Sequence, residues 1–129
     1  MKFTKATNMG LHVVTYLVQN STNKEYLSIN ELSDKFDVSP SYLSKILTQL
    51  SKAGLIASVS GVKGGYRLNK SIETITFFDV IQAIEGMPES LICLVESPTD
   101  CPIQQTLQEV QTAMWEELKN KKLSDLKGL

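Results

Sequence analysis

Residues 28–67, SINELSDKFDVSPSYLSKILTQLSKAGLIASVSGVKGGYR, contain the pattern that decides the fold. Ser28 and Glu31 have the spacing of a capping box, in which each side chain satisfies a free backbone N–H of the first helical turn. Apolar residues at one-face helical spacing follow, and the periodicity stops at Asp37-Val38. Ser39-Pro40 then starts a second helix, since Ser is a favoured N-cap and Pro a favoured first helical residue. The stretch therefore begins with two short helices joined by a tight turn.

The second predicted helix has two different faces and a defined end. We expect the apolar face to be buried; it consists of Leu43, Ile46, Leu47 and Leu50. The opposite face is polar and has no carboxylate; it consists of Ser41, Ser44, Lys45, Thr48 and Lys52. Gly54 stands at the left-handed position that ends many helices, and Leu55 can fold back onto Leu50. Two helices and a short turn of this kind form a helix-turn-helix.

Two short apolar runs, residues 55–59 and 66–68, surround a tip rich in Gly and Lys and predict a β-hairpin. A helix-turn-helix followed by a hairpin is a winged helix. Its usual partner is double-stranded DNA, with the second helix in the major groove. The alternative is a winged helix that binds another protein. That alternative predicts neither salt-dependent DNA affinity nor a polar, carboxylate-free face on the second helix.

The charge distribution supports a polyanionic partner, although the net charge of the 129 residues is −1. Residues 1–70 contain nine Lys and Arg against four Asp and Glu, whereas the remainder contains four against ten. Such asymmetry between halves suggests one half that faces nucleic acid; scattered, solvated charges are the simpler alternative. No apolar run approaches the roughly 20 residues of a membrane span, and no signal-peptide core is present. We therefore expect a cytoplasmic protein without membrane contact.

Two further helices and an irregular segment follow from the remaining sequence. The first helix spans about residues 5–19 and supports the helix-turn-helix. After the wing, Thr76 and Asp79 cap a helix with an apolar side of Val80, Ile81 and Ile84. Residues 89–101 lose periodicity, and a long segment of this kind in a small domain is usually functional or mobile.

The longest helical pattern begins at Pro102 and has a near-heptad apolar stripe of Ile103, Leu107, Val110, Met114 and Leu118. Because the rest of the chain can close its own core, we expect the same helix of a second subunit to cover the stripe. Packing within one chain is the alternative. An enzyme is not expected, since the chain has one His and lacks nucleophile-elbow, phosphate-loop and zinc-ligand motifs.

Four segments resemble the Rrf-two family of bacterial repressors: MKFTKATNMGLHVVTYL, SPSYLSKIL, KAGLIASVSGVKGGYRL and TFFDVIQAIEG. The resemblance covers nearly the whole chain. It implies a homodimeric, DNA-binding transcription regulator, a repressor acting on a palindromic operator. The implied fold is mainly α with a small β-hairpin wing. We expect a winged helix-turn-helix domain over residues 1–86, a sensor loop over 87–101, and a dimerisation helix with its tail over 102–129.

The resemblance implies base contacts from Ser41, Ser44 and Lys45. Ser can hydrogen-bond to several base edges, whereas Lys prefers the two acceptors of guanine. Phosphate contacts are expected from Ser39, Tyr42 and Thr48, with packing at the helix start as the alternative for Tyr42. At the wing, we expect contacts from Lys63, Gly64, Gly65 and Arg67, with Lys63 the best-placed cation for phosphate or minor groove. The glycines allow positive φ and close approach of backbone to DNA. A salt bridge at the wing base is the alternative for Arg67.

The sensor loop departs from the pattern of the cluster-binding family members, which place three cysteines there. Cys93 and Cys101 correspond to the first and last of these cysteines, and no cysteine of this chain corresponds to the middle one. We predict no cofactor, and a redox response of these two thiols. Cys101 precedes the long helix, whose dipole favours a thiolate, and a second thiol can resolve its oxidation. The alternatives are an iron–sulfur cluster held by Cys93, Cys101 and His12, with Asn8 at the family's carboxylate position, or two structural cysteines.

Overall fold

The structure is a computed structural model that describes residues 3–20, 26–62, 64–86 and 101–126. The elements in chain order are the helices α1 (Lys5–Asn20), α2 (Ile29–Phe36) and α3 (Pro40–Lys52), the strands β1 (Ile56–Val59) and β2 (Gly65–Leu68), and the helices α4 (Phe77–Glu85) and α5 (Pro102–Lys119). Two 3₁₀ turns cover Ile72–Thr74 and Leu123–Asp125. The predicted class, mainly helical with a two-stranded hairpin, is confirmed.

Side-chain caps define the helix-turn-helix at the predicted positions. The Ser28 hydroxyl accepts the Glu31 N–H at 3.1 Å, and the C-cap residue that follows α2, Asp37, has a left-handed backbone with φ of 52°. The Ser39 hydroxyl accepts the Tyr42 N–H at 3.2 Å and starts α3. Each hydroxyl satisfies a first-turn N–H that has no partner within its helix. The positions at which α2 and α3 begin therefore follow from local sequence.

A glycine stop ends α3 and directs the chain into the wing. Gly54 has φ of +78°, and its N–H donates to the Ser51 carbonyl at 3.0 Å. The Leu55 N–H donates to the Leu50 carbonyl at 3.1 Å, and both leucine side chains are buried. These two bonds and the apolar contact are those of a Schellman motif, as the sequence predicts.

The wing is an antiparallel hairpin in which Ile56 pairs with Leu68 and Val59 pairs with Gly65. Leu27 adds a third short segment, because Leu27 and Tyr66 exchange two backbone hydrogen bonds of 2.9 and 2.8 Å. Leu27 immediately precedes the cap of α2. This bridge therefore fixes the wing against the beginning of the helix-turn-helix.

One core joins α1, α3, α4 and the wing base. Its largest members are at most 2% exposed: Leu17, Leu32, Leu43, Ile46, Leu47, Leu50, Leu55, Ile56, Ile75, Ile81 and Leu123. Gly10 lets α1 lie close to α4, since a Cβ at this position would lie 3.0 Å from Ile84 Cγ1. Fully burying an aliphatic side chain of this size contributes about 1.5–3 kcal/mol. The core therefore supplies the main driving force that orients α3.

The tail after α5 returns to the beginning of α4. The Phe77 N–H donates to the Lys121 carbonyl at 2.8 Å, and the Leu123 N–H donates to the Ile75 carbonyl at 3.0 Å. Thr76 and Asp79 form the predicted reciprocal capping box of α4. The Leu123 side chain is 1% exposed and belongs to the core. Over the described ranges, no helix has both the length and the apolar character needed to cross a bilayer.

Candidate nucleic-acid interface

The α3 helix separates its residues into a buried and an exposed face, as predicted. Its four apolar side chains are at most 2% exposed. On the other side Ser41, Lys45, Thr48 and Lys52 are exposed, and Ser44 is half-buried. The helix contains no carboxylate, so nothing on it repels a polyanion. A rigid, polar and cationic helix face next to a wing is the geometry by which winged helices bind duplex DNA.

The hydroxyl groups of α3 differ in what they can still donate. Ser39 accepts the Tyr42 N–H, so its own proton stays available to a phosphate oxygen. The Thr48 hydroxyl instead donates to the Ser44 carbonyl at 2.8 Å. Because a phosphate oxygen needs a donor, a phosphate contact from Thr48 requires rotation of its side chain. Ser39 is therefore the better prepared of these two predicted phosphate contacts.

Tyr42 lies between the polar face and the core. Its ring packs against the core, and its hydroxyl is buried with no hydrogen-bond partner among the described residues. A phosphate contact by this hydroxyl requires that it first be uncovered, so the geometry favours the packing alternative. The Lys5 ammonium group lies 5.8 Å from the centre of the Tyr42 ring. The beginning of α1 therefore lies beside the beginning of α3, a proximity that sequence patterns do not indicate.

Arg67 lies at the base of the wing with its guanidinium carbon 5.0 Å from the centre of the Tyr26 ring. Among the described residues, Arg67 makes this cation–π contact and no salt bridge. Arg67 is half-buried, and the ring restricts its orientation. Sequence patterns do not indicate this contact, because Tyr26 and Arg67 are far apart along the chain. Lys63, the predicted cation at the wing tip, lies outside the described residues.

The two wing glycines are required by contacts inside the chain. A Cβ at Gly64 would overlap the Val59 carbonyl oxygen, and a Cβ at Gly65 would overlap the Leu27 carbonyl oxygen. Gly65 also has φ of +150°, which disfavours other residues. These glycines therefore fix the shape of the hairpin tip, whether or not backbone also approaches DNA there.

Cys101 is 6% exposed and is the N-cap residue of α5. It is disulfide-bonded, and the chain's other cysteine, Cys93, lies outside the described residues. His12 is exposed, and its Nδ1 is 2.8 Å from the Asn8 carbonyl oxygen. Within the described ranges, no three His, Cys, Asp or Glu side chains are grouped as metal ligands.

The apolar stripe of α5 lies mostly on the surface of the single chain. Ile103, Leu107 and Val110 are 72%, 49% and 64% exposed, whereas Met114 and Leu118 are half-buried. No residue of this helix is buried. The alternative of packing within one chain therefore applies only to the second half of α5.

The fold and the exposed face of α3 define a winged helix-turn-helix protein, and comparison with known proteins identifies its family. The model of the Rrf2 family, described as iron-dependent transcriptional regulators, matches residues 3–128. The chain therefore belongs to the Rrf2 family, the Rrf-two family of the sequence resemblance. It is a DNA-binding transcriptional regulator and not an enzyme.

Solved structures similar to this chain belong to the same group. The global cysteine regulator CymR of B. subtilis is 27% identical, with a TM-score of 0.79 over 97% of this chain and 95% of that chain. The oxidised form of Staphylococcus aureus CymR is 27% identical, with a TM-score of 0.76 over the whole of both chains. T. potens IscR is 25% identical, with a TM-score of 0.73 over 97% of this chain and 85% of that chain.

Proposed function

We propose that two copies of this chain bind one palindromic operator and repress transcription. In each copy α3 lies in the major groove, where Ser41, Ser44 and Lys45 contact base edges. The exposed, carboxylate-free face of α3 beside the wing carries this proposal. Lys45 supplies the cation for two guanine acceptors, and Ser supplies hydroxyl groups that adapt to several base edges.

The phosphate contacts are assigned to residues around α3. Ser39 and the wing residues Lys63 and Arg67 supply donors or cations, while Gly64 and Gly65 shape the tip that carries them. Thr48 joins this set after rotation of its side chain, whereas Tyr42 is assigned to packing because its hydroxyl is buried. Phosphate contacts fix the position of the protein on the duplex and carry no sequence information. Sequence preference is therefore expected to depend on the α3 residues.

Gel-shift titration with DNA from upstream of the gene that encodes this chain tests this assignment, because many small repressors regulate their own genes. Lys45→Ala is expected to cost about 1–3 kcal/mol on the preferred site and to relax one base position. Lys63→Ala is expected to weaken binding to all sequences alike and to lower the salt dependence. If neither substitution changes binding, the assignment of α3 and the wing is wrong.

The homodimer is proposed from the uncovered half of α5. Ile103, Leu107 and Val110 form a continuous apolar stripe that a second α5 can cover. Symmetric pairing would place two α3 helices at half-sites separated by a fixed distance, as a palindrome requires. The cytoplasmic location expected from the sequence is part of this proposal, since the operator lies there.

A redox response at Cys93 and Cys101 is a second proposal, supported by the disulfide-bonded Cys101 at the beginning of α5. Hydrogen peroxide oxidises the two thiols to one disulfide and is itself reduced to two waters. The bond would form directly before the dimerisation helix, so its formation can change half-site spacing. In a reducing cytoplasm it would be transient.

Thiol counting before and after mild peroxide tests this second proposal, with operator affinity measured on the same samples. The expected result is loss of two thiols together with changed affinity, and no response in Cys101→Ser. Two thiols lost without any change in affinity would contradict a sensing role. Anaerobic purification with absorbance spectra distinguishes the cluster alternative, which would give a coloured protein.

A further inference from the structure

Lys5 has a position that the assigned interface does not use. It is the first residue of α1, it is exposed, and its ammonium group lies 5.8 Å from the ring centre of Tyr42. Tyr42 belongs to the first turn of α3. The ion pairs among the described residues are Lys119–Glu116 and Lys121–Glu117, both far along the chain. The charge of Lys5 therefore has no carboxylate partner within the described ranges and lies beside the first turn of α3.

The backbone that carries Lys5 is held by hydrogen bonds to α4. The Thr4 hydroxyl accepts the Thr7 N–H at 3.2 Å. The hydroxyl groups of Thr4 and Thr7 both donate to Glu85 Oε1, the latter at 2.8 Å, and Thr7 is 1% exposed. Glu85 is the last residue of α4. One carboxylate oxygen thus fixes the first turn of α1, on both sides of Lys5.

We propose that Lys5 contacts a phosphate of the duplex bound by α3, and that Glu85 is its positioning residue, acting through Thr4 and Thr7. This inference rests on the proposed function. The major groove that receives the first turn of α3 is bordered by phosphates, and Lys5 supplies a cation at that turn. Contact with an aromatic face at an exposed site is weak. The Tyr42 ring therefore limits the range of the ammonium group without preventing it from turning to a phosphate.

The salt dependence of DNA affinity tests the role of Lys5 directly. Each neutralised phosphate contributes about 0.9 to the slope of log affinity against log salt. Lys5→Ala is expected to lower the slope by about this amount and to weaken operator and random duplex by the same factor. Lys5→Arg is expected to keep the slope. Lys121→Ala is the matched control, since it removes one positive charge that is already paired with Glu117 at 3.3 Å.

The role of Glu85 requires a comparison of single and double variants. Glu85→Gln keeps an acceptor oxygen but loses the charge that holds both hydroxyl groups, and melting curves check that it folds. We expect it to lower affinity and salt slope in the wild-type chain and to change neither in the Lys5→Ala chain. Such non-additivity indicates that two residues act as one unit. Additive losses would overturn the positioning role of Glu85.

The outcomes separate this inference from the proposed function. If Lys45→Ala alters base preference while Lys5→Ala leaves the salt slope unchanged, Lys5 does not contact phosphate and the inference is wrong. If the wild-type chain shows no salt-dependent binding to any duplex, the proposed function itself is wrong, and the inference about Lys5 falls with it. A slope lowered equally by Lys5→Ala and Lys121→Ala would show a general charge effect and would also overturn the inference.

Discussion

The helices α3 and α5 have similar apolar stripes but opposite surroundings. The four apolar residues of α3 are at most 2% exposed, whereas the first three stripe residues of α5 are at least 49% exposed. In α3 the chain covers the apolar face and leaves the polar face free for DNA. In α5 the apolar face is left free, and burial of an apolar face is the main driving force of association. Periodicity therefore identifies an apolar stripe, whereas only the fold shows whether the same chain covers it.

The largest effect is expected from a charge placed in the uncovered stripe. Val110→Glu would bury a carboxylate between two α5 helices and is expected to give monomers in sedimentation velocity. Loss of the second half-site should then lower operator affinity about 10²–10⁴-fold, because two linked contacts act together. Thr112→Glu adds the same charge on the opposite side of α5 and should stay dimeric. A Val110→Glu variant that stays dimeric would place the interface elsewhere.

Truncation of one stripe residue in each helix sharpens the comparison in terms of stability. Leu47→Ala leaves a cavity in the core and is expected to lower the free energy of unfolding by about 2–5 kcal/mol. Ile103→Ala, measured by urea unfolding in the monomeric Val110→Glu background, is expected to change it by less than about 0.5 kcal/mol. Similar losses from both substitutions would mean that the chain itself covers α5.

The wing gives a smaller, local test. Gly65→Ala would place a Cβ against the Leu27 carbonyl and break the Leu27–Tyr66 bridge, at a cost of about 1–3 kcal/mol. Gly61→Ala at the tip meets open space, although its φ of +114° is also unfavourable for Ala. Thermal unfolding should therefore rank Gly65→Ala as the more destabilising change. The reverse order would show that the bridge contributes little.

The smallest effect is expected at the beginning of α3. Ser39→Ala removes the hydroxyl that accepts the Tyr42 N–H and should cost about 1 kcal/mol of stability. Ser41→Ala, two residues later at an exposed position, should leave stability nearly unchanged. Denaturant unfolding of the two variants compares a hydroxyl that caps the helix with one on the same helix that does not. Equal stability of both variants would show that the cap contributes nothing measurable.

Local signals were sufficient to predict much of the fold. Ser28, Ser39 and Thr76 cap the predicted helices because a cap bonds a backbone N–H only three residues away. The stop of α3 at Gly54 is also local, because the Gly54 and Leu55 N–H groups bond the nearby carbonyls of Ser51 and Leu50. The hairpin follows from two short apolar runs around a glycine-rich tip. These features depend on neighbours in sequence, and so the sequence specifies them.

Contacts between distant residues could not be predicted in the same way. The Leu27–Tyr66 bridge, the Arg67–Tyr26 contact and the place of Lys5 beside Tyr42 each join separate elements. No periodicity links such partners. The bridge explains Gly65 better than the close approach to DNA expected from sequence. The candidate base-contacting residues, in contrast, could be selected from the sequence because they share one face of one helix.

The stoichiometry of the operator complex tests whether α5 pairs two copies of the chain on one operator. The wild-type chain is titrated onto a DNA duplex from upstream of its own gene, and sedimentation equilibrium gives the mass of the complex. We expect two chains per duplex. The same measurement with Val110→Glu should give weak binding of single chains. Tight binding of one wild-type chain per duplex, with the Val110→Glu variant equally tight, would contradict the claim that α5 pairs two copies so that two α3 helices bind one operator.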